Sequence, residues 1–213
     1  MKYNSEDHKQ WFPLVWKNLA PPRYEVLLWA ILWKRVATKD RVLKWKALTP
    51  EESLCTFCGE VLETVNHVFL HCRFSWNIWN EICAEWGMMW VCPLEIDDAF
   101  LLWHGAHLAG FEKQIWDTFF IAVVTIIWEV RNAAVFELKD PSWSSMRDLV
   151  VLRVGLWSKA WKENIPYSLE KMVDQLESNK IVDGEVEAKR QIVYDSFDYL
   201  CVGCLLLYGG LLF

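Results

Sequence analysis

The sequence predicts a mainly α-helical fold with no substantial sheet, interrupted by one cysteine-rich loop. Three observations lead there. Apolar residues recur at helical spacing in segment after segment, and no stretch of useful length alternates apolar with polar as a strand would. Aromatic side chains are also plentiful enough to fill a core between short helices. Hydrophobic residues make up 54% of the 213 residues, and fifteen are Trp. Each large ring buries much area. Most of these Trp fall at helical spacing among Leu, Ile and Val, so they read as core rather than as stacking surfaces for bases or sugars.

The elements follow in order. A short apolar-periodic segment from Trp11 to Leu19 stops at Pro21-Pro22, because proline cannot continue a helix. Tyr24, Leu27, Leu28, Ile31 and Leu32 mark an amphipathic helix to about residue 36. Thr38 is placed to cap a helix over about 39–47, with Asp40 in its first turn. Residues 49–62 read as loop and turn, and Thr64 opens a short helix through about Leu70. A helix over about 74–86 places Phe74, Ile78, Trp79, Ile82 and Trp86 along one side. Residues 87–110 look irregular, with Gly87, Pro93 and the acidic pair Asp97-Asp98. The longest helix spans about 112–137, striped by Ile115, Phe119, Ala122, Val123, Ile126, Val130 and Ala133. Its uncharged run, Thr118 to Trp128, is too short to cross a bilayer, which takes about 20 residues. A last helix, about 143–163, follows Pro141 and carries Met146, Leu149, Val150, Trp157 and Trp161.

The net charge of −6 hides an asymmetry. Residues 1–50 hold ten Lys/Arg against four Asp/Glu, giving +6, and the rest of the chain carries −12. Lys34, Arg35, Lys39, Arg41, Lys44 and Lys46 are accompanied only by Asp40. Such a face can meet phosphates, and it can equally be the solvated side of two helices.

Seven cysteines stand at 55, 58, 72, 83, 92, 201 and 204. The first residues are polar and form no signal peptide, so an intracellular location, nuclear or cytoplasmic, and reduced thiols are expected. Close cysteines then read first as metal ligands. Cys55-x2-Cys58-x8-His67-x4-Cys72 has the composition of a closed, tetrahedral, structural zinc site, with three thiolates and one imidazole. His71 competes for the fourth position: in an unbroken helix it would share a face with His67, whereas a helix that frays near Leu70 lets Cys72 curl back. Glu63 and Asn66 are close enough in sequence to orient the imidazole. The second pair, Cys201 and Cys204, has no His nearby and makes a poor zinc site. Because the candidate ligands all lie within 55–72, losing zinc is expected to melt the first ninety residues and largely spare the helix at 112–137.

Several landmarks together resemble a known family. Trp16-Lys-Asn-Leu-Ala-Pro-Pro, Leu28-Trp29 and Thr38-Lys-Asp-Arg-Val-Leu43 lead into Cys55-x2-Cys58, Glu63-Thr64-x2-His67, Cys72 and Trp79. Trp128-x2-Arg131-Asn132-x3-Phe136 follows. Over about residues 11–137 this resembles the zinc-binding region downstream of the polymerase in reverse transcriptases of plant non-LTR (LINE-type) retrotransposons. The resemblance implies Cys72 as the fourth ligand and a role in holding RNA or DNA. With the composition of the rest of the chain, the expected organisation has three parts: a zinc-binding domain over 11–90, a helical extension over 91–165, and an acidic linker with an apolar tail over 166–213 that nothing in the family resembles. Neither a polymerase carboxylate pair nor the full ribonuclease H acidic set occurs, so the chain is not expected to be an enzyme. Asp183-Gly184, Asp195 and Asp198 read as solvated charge. A scaffold or protein-interaction module stapled by zinc, with no nucleic-acid binding, is the competing expectation.

Overall fold

The computed structural model describes residues 10–45, 48–137, 143–159 and 161; Lys46 and the segment 166–213, with Cys201 and Cys204, lie outside the described residues. Among the described residues the regular elements are helical: α1 (Phe12–Val15), α2 (Pro22–Leu32), α3 (Lys39–Lys44), a π-helical turn (His67–His71), α4 (Arg73–Glu85), α5 (Ile96–His104), α6 (Gly110–Phe136) and α7 (Trp143–Ser158). The extended pairing described is a single antiparallel bridge between Leu54 and Leu62.

The helix α6 is the axis of the molecule, and α2, α4, α5, α7 and the π-helical turn all pack on it. Its middle is buried on every side, from Ile115 through Glu129, which explains why its apolar pattern runs almost without a polar face. By length and composition α6 could cross a membrane, but 78% of its most apolar window is enclosed by the rest of the protein. Here it is a core helix.

Proline starts α2: Pro22 occupies its first turn, where a missing N–H costs nothing. The helix ends in a Schellman arrangement, with Lys34 N–H donating to Ile31 O and Arg35 N–H to Ala30 O. The residue that turns the chain is Lys34, at φ +52, where glycine is usual.

The tryptophans do organise the core. Trp103 and Trp116 stack at 3.9 Å, almost parallel, and each indole N–H donates to the other's carbonyl at 2.7 and 2.9 Å. Trp79 stacks on Trp90 at 5.0 Å and donates its indole N–H to Phe69 O. Fully burying one such ring is worth about 2–3 kcal/mol, and here the polar N–H is satisfied as well.

Four expectations about the helices need correction. The supposedly irregular segment 87–110 contains α5, which buries Ile96, Ala99, Phe100 and Trp103. The pair Asp97-Asp98 sits in its first turn, where negative charge suits the helix dipole, and Asn66 Oδ1 accepts the Ile96 N–H from thirty residues away. The amphipathic helix expected to reach about residue 36 ends at Leu32, the helix after Thr38 stops at Lys44 and the last helix at Ser158. Trp161 nevertheless packs against the core as expected.

Candidate metal centre

The site grows from a small knuckle. Ser53 O accepts the Glu63 N–H and Val61 O accepts the Cys55 N–H, closing a two-stranded turn around the Leu54–Leu62 bridge. Gly59 turns the chain back at φ +67 and donates its N–H to Cys55 O at 2.8 Å. A left-handed residue is needed there, and glycine adopts it without steric cost. This places Cys55 and Cys58 on one side of the knuckle.

His67 and Cys72 arrive from the following turn. Thr64 Oγ1 accepts the His67 N–H at 3.1 Å and starts it, as the sequence suggested. The turn then widens to a π-helix: Cys72 N–H donates to His67 O at 2.7 Å, five residues back. In an α-helix, residues five apart point about 140° apart; the wider turn brings them nearer to one face. Cys72 itself leaves the turn in extended conformation, at φ −63 and ψ 135, and heads α4.

The outcome is a cluster in which the donor atoms of Cys55, Cys58, His67 and Cys72 all lie within 4.8 Å of one another. The Cys55 and Cys72 sulfurs are 3.9 Å apart, and Cys58 Sγ is 3.4 Å from His67 Nε2. A tetrahedral zinc with Zn–S of about 2.3 Å and Zn–N of about 2.05 Å has edges of about 3.8 and 3.6 Å. The donor set and its spacing fit one zinc ion. His71 is not part of this cluster; its Nε2 lies 2.9 Å from Pro93 O.

The two buried sulfurs are electrostatically linked. The hydrogen bond between them pulls the Cys55 thiol down to about 4, with burial opposing, while the same bond and burial push Cys72 far above the usual thiol range. A positive ion between them would stabilise both as thiolates.

Neither Glu63 nor Asn66 orients the imidazole. Glu63, wholly buried, is instead the hub that joins the knuckle to the helical body. Its Oε1 accepts from Arg131 Nη2 at 2.6 Å, from Arg131 Nε at 3.1 Å and from the Lys39 N–H at 3.1 Å. Its Oε2 accepts from the Thr56 hydroxyl at 2.8 Å and the Thr56 N–H at 3.1 Å. Burial alone would push this carboxyl up, but the Arg131 charge and the hydrogen bonds of Arg131 and Thr56 outweigh it and hold the pKa below the ordinary glutamate value. Arg131 also lies over the Trp128 ring at 5.0 Å and donates to Asn132 Oδ1. The Trp-x2-Arg-Asn segment is thus a structural clasp on the back of the knuckle. Asn66 is occupied at both ends, donating to Glu95 and accepting from Ile96.

The basic residues divide into two kinds. Lys39 Nζ donates to Leu54 O at 2.8 Å and so braces the knuckle. Arg41 donates to Lys34 O, and Lys34 pairs with Glu95. Arg35, exposed, lies over the rings of Trp29 and Trp33. Lys44 pairs with Asp40 at 3.6 Å, with 75% of its side chain open to solvent. Thr38 does not cap α3 with its hydroxyl, which donates to Asp40 Oδ1; Glu63 supplies the cap from across the knuckle.

No curated protein and no solved structure matches the chain significantly. Residues 1–79, which run from the N-terminus through the metal cluster to Trp79 in α4, match the family model described as zinc-binding in reverse transcriptase, an accessory region and not the catalytic polymerase.

Proposed function

We propose that this chain is a structural zinc module that binds RNA or DNA through the basic side of α2 and α3, and that it derives from the region downstream of the polymerase in a non-LTR retrotransposon reverse transcriptase. The observation that carries this reading is the match of residues 1–79 to the reverse-transcriptase zinc family, with a four-donor cluster inside it. Cys55, Cys58, His67 and Cys72 are the ligands. When bound, the ion supplies folding energy, and four protein donors leave no position for a catalytic water. The module is intracellular and has no enzymatic activity of its own.

Three thiolates around Zn²⁺ leave the centre near −1, so phosphate is not drawn by the ion. The attraction comes from Lys34, Arg35, Lys39, Arg41, Lys44 and Lys46. Among the described ones, Arg35 and Lys44 stand most open to solvent, while Lys39 is committed to the knuckle. If three to five of the group reach phosphates, affinity falls with salt at a log–log slope of about −2 to −5. A titration of zinc-loaded protein with RNA and DNA at several salt concentrations tests this, and the double variant Arg35→Ala, Lys44→Ala should flatten the slope while keeping the zinc. The alternative, a zinc-stapled scaffold, draws support from the intramolecular partners that Lys34, Lys39 and Arg41 already have. It predicts no binding above an acidic control protein of similar size.

A further inference from the structure

Between α3 and the turn at Thr64–Asn66 lies a groove of ≈ 360 Å³, lined by three cations (Lys34, Arg41 and Lys44), one carboxylate (Asp40) and Trp45 among others. Three tryptophans among the described residues are exposed, Trp16, Trp76 and Trp45, and of these Trp45 lines the groove. Trp11, Trp79, Trp103, Trp116, Trp128 and Trp157 are buried, whereas Trp45 is 55% exposed, the most open tryptophan among the described residues. It follows the last turn of α3, where its N–H closes the helix on Val42 O, and its ring lines the groove beside the three cations.

We infer that this groove is a site for one unpaired nucleotide, with the base lying against the Trp45 ring and its flanking phosphates on Arg41 and Lys44. The inference rests on the nucleic-acid reading above and specifies which form of nucleic acid the module takes. An aromatic face open to solvent next to cations is the arrangement on which single strands stack, because every unpaired base offers a free π-face. Bases within a duplex are stacked on both sides and cannot reach the ring without being unpaired.

The cations can serve without dismantling the fold. The Lys44 ammonium is mostly open to solvent and can turn from Asp40 to a phosphate, while Asp40, largely covered, keeps the Thr38 hydroxyl as its partner. The Arg41 guanidinium donates through Nη1 to Lys34 O and has further N–H groups in its planar fork. Lys34 occupies a left-handed position that glycine would fill without strain, and its side chain is thereby held at the rim, against Glu95.

The test uses the full zinc-loaded chain and two probes, an oligouridylate single strand and an RNA hairpin duplex with the same number of phosphates. The wild-type protein should prefer the single strand. Trp45→Ala should weaken single-strand binding by about 5- to 150-fold, the range expected for losing one stacked base, and leave duplex binding unchanged; Trp45→Phe should recover most of the loss. Circular dichroism and zinc content should match wild type, since the ring is not part of the core. Equal wild-type binding of both probes, or a Trp45→Ala variant that loses neither or both equally, overturns the groove assignment while leaving a basic-face interaction in place. Absence of binding to either probe overturns both.

Discussion

Replacing Arg131 by alanine should be strongly destabilising although it lies far in sequence from the metal ligands. The pair it makes with Glu63 is sealed: the side chains are 4% and 0% exposed, and the contact is 2.6 Å. Breaking a buried pair from one side leaves an uncompensated charge and costs about 3–5 kcal/mol. With a urea m-value of about 2 kcal/mol/M, a loss of about 4 kcal/mol moves the unfolding midpoint down by about 2 M. Glu63 also receives Thr56 and the Lys39 N–H, so the knuckle should loosen, and a chelator should strip zinc from Arg131→Ala faster than from wild type. Replacing both partners, Glu63→Gln with Arg131→Met, should be milder than either single loss of charge. The pH dependence has a definite sign. Because the folded pKa of Glu63 is depressed, its contribution is full above the ordinary glutamate value near pH 4.3 and disappears as pH falls through the lower folded value. Urea titrations of wild type and Arg131→Ala should therefore differ most near neutrality and converge in acid. An unchanged midpoint for Arg131→Ala at pH 7 would refute the clasp.

Zinc removal, or Cys55→Ser, should unfold the knuckle and, through the Glu63–Arg131 pair and the shared core, also lower amide protection in α6; hydrogen exchange that leaves α6 untouched would support independent halves instead. His67→Ala should abolish stoichiometric zinc while His71→Ala keeps it, as read by metal analysis of the purified variants. Gly59→Ala should cost about 1–2 kcal/mol, because alanine is strained at φ +67 even though a methyl group there meets no neighbouring atom. Thermal melts of the zinc-loaded protein would show it.

Much of this fold was legible because its helices announce themselves locally. The periodic apolar residues of α2, α4 and α6, the prolines before α2 and the glycine after Cys58 all act within a few residues of themselves. The zinc pattern was readable for the same reason, since Cys55-x2-Cys58 and His67-x4-Cys72 are short-range spacings. What escaped the sequence depends on distant partners. The N-terminus of α5 is completed by Asn66, and the cap of α3 by Glu63. The extra residue in the π-helical turn, which separates Cys72 from His71 as a donor, carries no local signature. The hub role of Glu63 was hidden because its guanidinium partner is 68 residues away, and the two meet only when α6 lies behind the knuckle. Two landmarks treated as separate, Glu63-Thr64 and Trp128-x2-Arg131-Asn132, are one structural device. Ligand spacing alone predicts that α6 survives zinc loss, whereas the Glu63–Arg131 pair predicts that it is coupled to the knuckle, and hydrogen exchange decides between them.

The central claim is that one zinc ion is held by Cys55, Cys58, His67 and Cys72. Elemental analysis of wild type, Cys72→Ser and His71→Ala, each purified without chelator, tests it most directly, with the cobalt-substituted spectrum counting thiolate ligands. One equivalent of zinc and a three-thiolate cobalt spectrum are expected in wild type and in His71→Ala, with loss of the tightly held metal in Cys72→Ser. Retention of zinc by Cys72→Ser together with its loss from His71→Ala would contradict it.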